Sequence, residues 1–131
     1  MACDLISGSH TRTGKKVNMP DWQNQDSSLV LPLGHSRTLV AVFDGHGRWG
    51  HLVAGRVREV VLARARELLP AGHLSDETAR AALVRLFANA EEALARQVDC
   101  AGRPLTEFSG TTATIAICDA AAGKVAVAHV G

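Results

Sequence analysis

Asp44 is followed by Gly45, His46 and Gly47, and this run is the sharpest local chemistry in the chain. It closes Thr38 to Phe43 (TLVAVF), a continuous apolar, β-branched stretch that reads as a buried strand running into a tight turn. A carboxylate projecting from a strand end suits a hard cation, because the strand fixes the oxygen and glycines let a backbone carbonyl approach the metal. The same Asp-Gly pair also makes an ordinary turn, and local chemistry alone supports both readings. His46, beside that carboxylate, could donate a proton to a leaving group near neutral pH. Upstream, in Asn24-Gln25-Asp26-Ser27, Asp26 could hold a metal-bound water and Gln25 could offer a carbonyl oxygen. Taken alone this cluster is only a turn signal.

The other reactive residue types point to structure. Six histidines invite a zinc reading, but His46 and His51 are five apart, which is no helical i, i+4 pair, and no further ligand is close in sequence. His51 is expected to pack at the start of a helix, and His129 to sit satisfied in a strand. Ser109-Gly110-Thr111-Thr112 resembles a strand-entry turn with no GxSxG frame, so backbone roles are expected there rather than a nucleophile. Cys3, Cys100 and Cys118 are odd in number and form no CxxC pair, which indicates neither a disulfide framework nor a thiolate zinc site. Cys3 reads as a chance N-terminal cysteine rather than a lipidation site.

Positioning these residues falls to a short list of elements. Residues 1 to 28 are polar and broken by Gly8, Gly14 and Pro20, so they read as loop or irregular edge strand. Ser28 to Leu33 is expected to be a short strand ahead of Thr38 to Phe43. After GHGRWG, the apolar residues Leu52, Val53, Val57, Val60, Val61 and Leu68 recur at helical spacing and predict an amphipathic helix of about five turns. Pro70 and Gly72 end it. Ser75 then caps a second helix, with Asp76 and Glu77 in its first turn and an apolar stripe from Ala79 through Leu83, Leu86, Phe87, Ala90 and Leu94 to Val98. Cys100 to Ser109 reads as loop, and TTATIAI and KVAVAHV as a hairpin. Strand, two helices, hairpin is the order of an α+β fold with helices over an antiparallel sheet.

A length of 131 residues argues for one domain or part of one. With 47% hydrophobic and 21% charged residues, whole-chain disorder is excluded. Fourteen basic against thirteen acidic side chains leave a net charge of +1, too little field for nucleic-acid binding. The N-terminus lacks the apolar run of a signal peptide, and no segment approaches the ~18 apolar residues of a membrane span. Reduced thiols in the cytoplasm or nucleus are the expectation.

Four segments together resemble, in order, the motifs of the metal-dependent serine/threonine protein phosphatases (type 2C, PPM). They are NQDS at 24 to 27, VFDGHG at 42 to 47 extended as RWGHLVA, SGTTAT at 109 to 114, and VAHVG at 127 to 131. The wording GHGxWGHxVA with NQDS is most similar to the plant and protist branch. The resemblance runs from about residue 8, leaving 1–7 as a short N-terminal extension and 8–131 as the N-terminal portion of the family domain. It implies an antiparallel β-sandwich flanked by helices, with two Mg²⁺ or Mn²⁺ ions between the sheets and a metal-bridging hydroxide that attacks phosphorus. Asp44 would bridge both metals, Gly45 would coordinate one through its carbonyl, and His46 would be the general acid. Asp26 and Gln25 would serve the second metal and its waters, Gln25 standing where many members carry a glutamate.

The implied activity is dephosphorylation of phosphoserine and phosphothreonine in proteins. The family's usual cation five positions before Asp26 is replaced by Asp21, within a small insertion, MPDWQ. Lys16, or its neighbour Lys15, is the candidate phosphate-binding cation in its stead. Two further metal-ligand aspartates belong to the later half of the family domain, so the 131-residue chain by itself is expected to lack appreciable activity. The rival expectation is a non-catalytic regulatory or binding module that keeps this part of the fold without a complete metal site.

Overall fold

Two successive segments turn every second residue inward and close on each other as a hairpin, β1 (Asp26–Gly34) and β2 (Arg37–Gly47). The computed structural model describes residues 6–131, so Cys3 and most of the expected 1–7 extension lie outside the described residues. The connecting turn passes through Gly34, His35 and Ser36 at φ of 80°, 53° and 60°, all left-handed. Together with a register shift between Pro32 and Gly34, it sets Asp26 opposite Asp44, Ser28 opposite Val42 and Val30 opposite Val40. A slip of one residue would send each of these side chains to the other face.

Two helices follow, α1 (Gly50–Leu68) and α2 (Asp76–Leu94), each of 19 residues. The first matches the expected span, and the second ends at Leu94, four residues short of the expected stripe. Ser75 caps α2 by accepting the Thr78 amide at 3.1 Å, and Asp76 and Glu77 occupy its first turn. In α1 the buried face is Val53, Ala54, Val57, Val61 and Ala65, turned toward the alanines, while Leu52 is largely exposed. The apolar stripe of α2 is buried as expected through Leu94, but Val98 lies beyond the helix end and is exposed. α1 packs on β1 and β2, and α2 on α1 and β5 (Lys124–Val130).

The C-terminal hairpin of β4 (Ala113–Asp119) and β5 joins β2 to give the antiparallel order β1-β2-β4-β5. Phe43, Leu39, Leu86, Ile115, Ile117, Val53 and Val61 form the dry centre between sheet and helices. This is the expected α+β class with both helices on one face of the sheet. The described residues supply one sheet of the expected sandwich. Its other face carries Val30, Val40, Ala116 and Val127 in a row across all four strands.

The structure corrects the sequence reading in two further places. The region read as loop between Cys100 and Ser109 contains a 3₁₀ turn at Leu105–Glu107 and leads into β3 (Ser109–Thr111). The run Asp44–Gly47 is not a tight turn, because it continues β2. Three residues of β3 lie opposite it and supply the ladder partners that a turn would not need: Thr111 for Gly45, Gly110 for His46 and Ser109 for Gly47.

Arg37, at the start of β2, was not singled out in the sequence. It is 3% exposed and donates to the carbonyls of Ala71 at 2.9 Å and Gly72 at 2.5 Å, with Asp119 at 3.8 Å. It therefore pins the α1–α2 connection to the sheet end opposite the DGHG run.

Candidate metal centre

Asp26 and Asp44 stand directly opposite each other across the β1–β2 ladder, so their side chains leave the same face of the sheet. That face is the one away from the helices, since Phe43 and Leu29 on the alternate positions are buried in the core. Opposed side chains in an antiparallel pair hold their Cβ atoms about 4.5–5.5 Å apart, and like charges in that position destabilise the pairing. Both residues are exposed, and among the described residues neither carboxylate takes part in an ion pair. A fold that juxtaposes two unneutralised carboxylates is suited to a divalent cation. Mg²⁺ commonly binds through one or two carboxylates and completes its shell with water and substrate phosphate. Among the described residues no group of three His, Cys, Asp or Glu is assembled for a metal, so any donors beyond the two carboxylates would be amide or backbone carbonyl oxygens.

The glycines of the DGHGRWG run are required by packing. A Cβ on Gly45 would strike the carbonyl oxygens of Gln25 and Gly50, and one on Gly50 would lie 2.8 Å from the Gly45 carbonyl carbon. Strand β1, the end of β2 and the start of α1 therefore meet at backbone contact, which only glycine permits. Gly47, at φ of 84°, lies against the Phe108 carbonyl and 2.7 Å from the Ser109 Cα by the same measure.

Each expected site residue can now be placed. The Gly45 amide donates to the Gln25 carbonyl at 3.2 Å, which ties the residue before Asp26 to the residue after Asp44. The Gln25 side chain folds the same way, its Nε2 donating to the Gly47 carbonyl at 2.6 Å, so that Oε1 alone is left as an acceptor. Asp26 is oriented by an Asx-type bond from its own amide to Asn24 Oδ1 at 3.1 Å, and Asn24 is in turn held to Thr11. His46 is exposed, two residues along the strand from Asp44 and hence on the same face. Its ring lies over Gly110, where a Cβ would be 2.8 Å from Nε2.

Lys16 is not brought to this group. Its Nζ sits 3.5 Å above the Trp22 ring, in a small turn where Lys16 bridges to Met19. His51 is the second residue of α1, tilted against Trp49, and His129 accepts or donates with Thr114 Oγ1 at 2.8 Å, both as expected for structural histidines.

Sequence reasoning missed how much the segment 109–112 does. The Thr112 amide donates to the Asp44 carbonyl at 2.9 Å, and the Asp44 amide donates to Thr112 Oγ1 at 3.3 Å. Ser109 Oγ accepts the Trp49 amide at 2.8 Å. Gly131 packs on Thr112 in the same end row of the sheet. The available signal was the concentration of glycine in DGHGRWG and SGTT, which marks two backbones in close approach.

No family model matches the chain. A rice protein (Oryza sativa subsp. japonica) named "Probable protein phosphatase 2C 48" is 42% identical over 60 residues, covering 40% of this chain and 17% of its own length. A crystal structure of a bacterial serine phosphatase bearing an arginine-to-glutamate mutation superposes with a TM-score of 0.67 at 18% identity, over 95% of this chain and 55% of that one. The second match shows the fold. The chain thus spans about half of the matched structure and a smaller share of the rice protein. The rice match supports the resemblance to type 2C phosphatases, and the structural match the expected fold.

Proposed function

We propose, from the chain's similarity to type 2C serine/threonine phosphatases, that these residues form the metal-holding and general-acid part of a centre that removes phosphate from phosphoserine and phosphothreonine in proteins. What supports the reading most directly is the cross-strand pair Asp26–Asp44, two exposed like charges fixed face to face, with His46 next along the same face. Asp44 would serve as the carboxylate shared by two Mg²⁺ or Mn²⁺ ions, the Gly45 carbonyl as a ligand of one, and Asp26 as the holder of waters on the other. Gln25, its Nε2 committed to Gly47, retains Oε1 for the same shell. When bound, the cations supply Lewis acidity and neutralise phosphate charge.

His46 then holds the proton that the departing serine or threonine alkoxide must receive. An exposed imidazole fixed over Gly110 can meet that oxygen from the solvent side. Lys16, whose Nζ lies over the Trp22 ring, remains the proposed phosphate-binding cation. The activity as a whole belongs to a domain spanning the full length of the matched structure.

The proposal is tested in the chain extended to that length. With Mn²⁺ present, His46→Gln should lower kcat on a phosphothreonine peptide by roughly 10²–10⁴-fold and affect p-nitrophenyl phosphate far less, because its phenolate leaves unaided. Equal losses on both substrates would remove His46 from the general-acid role, and metal-independent turnover would overturn the reading.

A further inference from the structure

We infer that Ser109 is a positioning residue for this centre: its hydroxyl latches the loop between His46 and α1, and so fixes His46 relative to Asp44. The inference rests on the proposed phosphatase reading for its functional meaning, but on contacts alone for its geometry. Trp49, the N-cap of α1, has no side-chain cap of its own. The Trp49 amide itself, a separate donor, is satisfied by Ser109 Oγ, 60 residues away in sequence, at 2.8 Å. Ser109 is only 8% exposed, so this hydroxyl is a built part of the interior rather than a surface contact.

Three further contacts make the latch bear on His46. Ser109 is the ladder partner of Gly47, and a Cβ on Gly47 would lie 2.9 Å from Ser109 Oγ, so the hydroxyl sits beside the start of the loop while it binds the amide at its end. Gly110, the next residue, is the floor on which the His46 ring rests. Thr112 then grips Asp44 through both its amide and its hydroxyl. One short segment therefore sets the carboxylate, the imidazole and the start of α1 in one frame. Of its members, Ser109 alone reaches across the loop to α1 through a side chain. Without the hydroxyl, the Trp49 amide is left without its partner beside a buried position, and the cheapest relief is for the loop to open toward water.

The test uses the 131-residue chain, Ser109→Ala and, as a control for general loss of stability, Leu86→Ala in the core of α2 remote from the loop. Two readouts are independent of catalysis: amide exchange at Trp49, and the nuclear Overhauser contact between the His46 ring and the Gly110 α-protons. Ser109→Ala should speed Trp49 exchange about tenfold or more and weaken the ring contact. Leu86→Ala should lower the melting temperature while leaving the ring contact intact. Ser109→Thr, which restores a hydroxyl, should recover most of both signals. Mg²⁺ titration of the same proteins adds the functional arm, with weaker binding expected only in Ser109→Ala.

Unchanged Trp49 exchange and an unchanged ring contact in Ser109→Ala would overturn the inference, as would equal loss of both signals in Leu86→Ala. Should no variant, nor the parent chain, bind Mg²⁺ while the two structural signals still respond, the latch stands and the metal reading falls.

Discussion

The opposed carboxylates make a claim with two signs. Asp26→Asn removes one of two like charges paired across a ladder, so the metal-free protein should melt no lower than the parent. Under the proposed metal reading the same change removes the carboxylate that would hold waters of one ion, so any stabilisation by Mg²⁺ should shrink. Thermal melts with and without Mg²⁺ read both terms, and a variant that melts lower without metal would mean that Asp26 makes a contact outside this account. Gly110→Ala belongs at the same scale. Its methyl would occupy space held by the His46 ring, and it should displace the ring while leaving Asp44 gripped by Thr112.

These residues were visible in the sequence as motifs. Their pairing was not, because the register depends on three consecutive left-handed residues, Gly34, His35 and Ser36, two of which are not the glycine that such a turn favours. The latch at Ser109 was equally hidden, since the acceptor and the amide it holds are 60 residues apart.

Elements with a strong period were read correctly. Both helices show 3.6-residue apolar spacing, and the β4–β5 hairpin shows β-branched runs around an alanine-rich turn. β3 was not legible because three small residues carry no hydrophobic pattern, and its existence corrected the tight turn expected at Asp44. Asp76 and Lys124, 2.8 Å apart, join the first turn of α2 to the start of β5 and make a pH test of that junction. The hydrogen bond from Lys124, aided by its charge, lowers the Asp76 pKa, and the same bond raises that of Lys124. The Asp76 contribution is therefore present above the ordinary carboxylate range of about 3.9 and lost as pH falls through its lowered folded value. The Lys124 contribution is present below about 10.4 and lost as pH rises through its raised value. Both groups are exposed, so the effect should be small and salt-sensitive. Amide exchange in β5, corrected for its intrinsic rate, should quicken relative to β2 in acid. A β5 that responds no more than β2 would show that the pair does not tie the two elements.

Among the described residues the sheet has one face packed on the helices and one face left open. Val42, Val125 and Val127 are 58%, 64% and 61% exposed on that face, continuous with the row through Val30, Val40 and Ala116. β5 also presents an unpaired edge among the described residues. The chain in isolation should therefore self-associate with rising concentration, and Val127→Lys should reduce this in sedimentation without lowering the melting temperature appreciably. Concentration-independent sedimentation of the parent chain would contradict the openness of that face. The carboxylate pair and His46 lie at the end of the same face, so the second sheet of the expected sandwich would close over both. The central proposal, that the Asp26–Asp44 pair holds a divalent cation, is tested most directly by calorimetric titration of the 131-residue chain with Mn²⁺, beside Asp44→Asn. The parent chain should bind and the variant should lose most of that binding; equal affinities, or no binding by either, would contradict it.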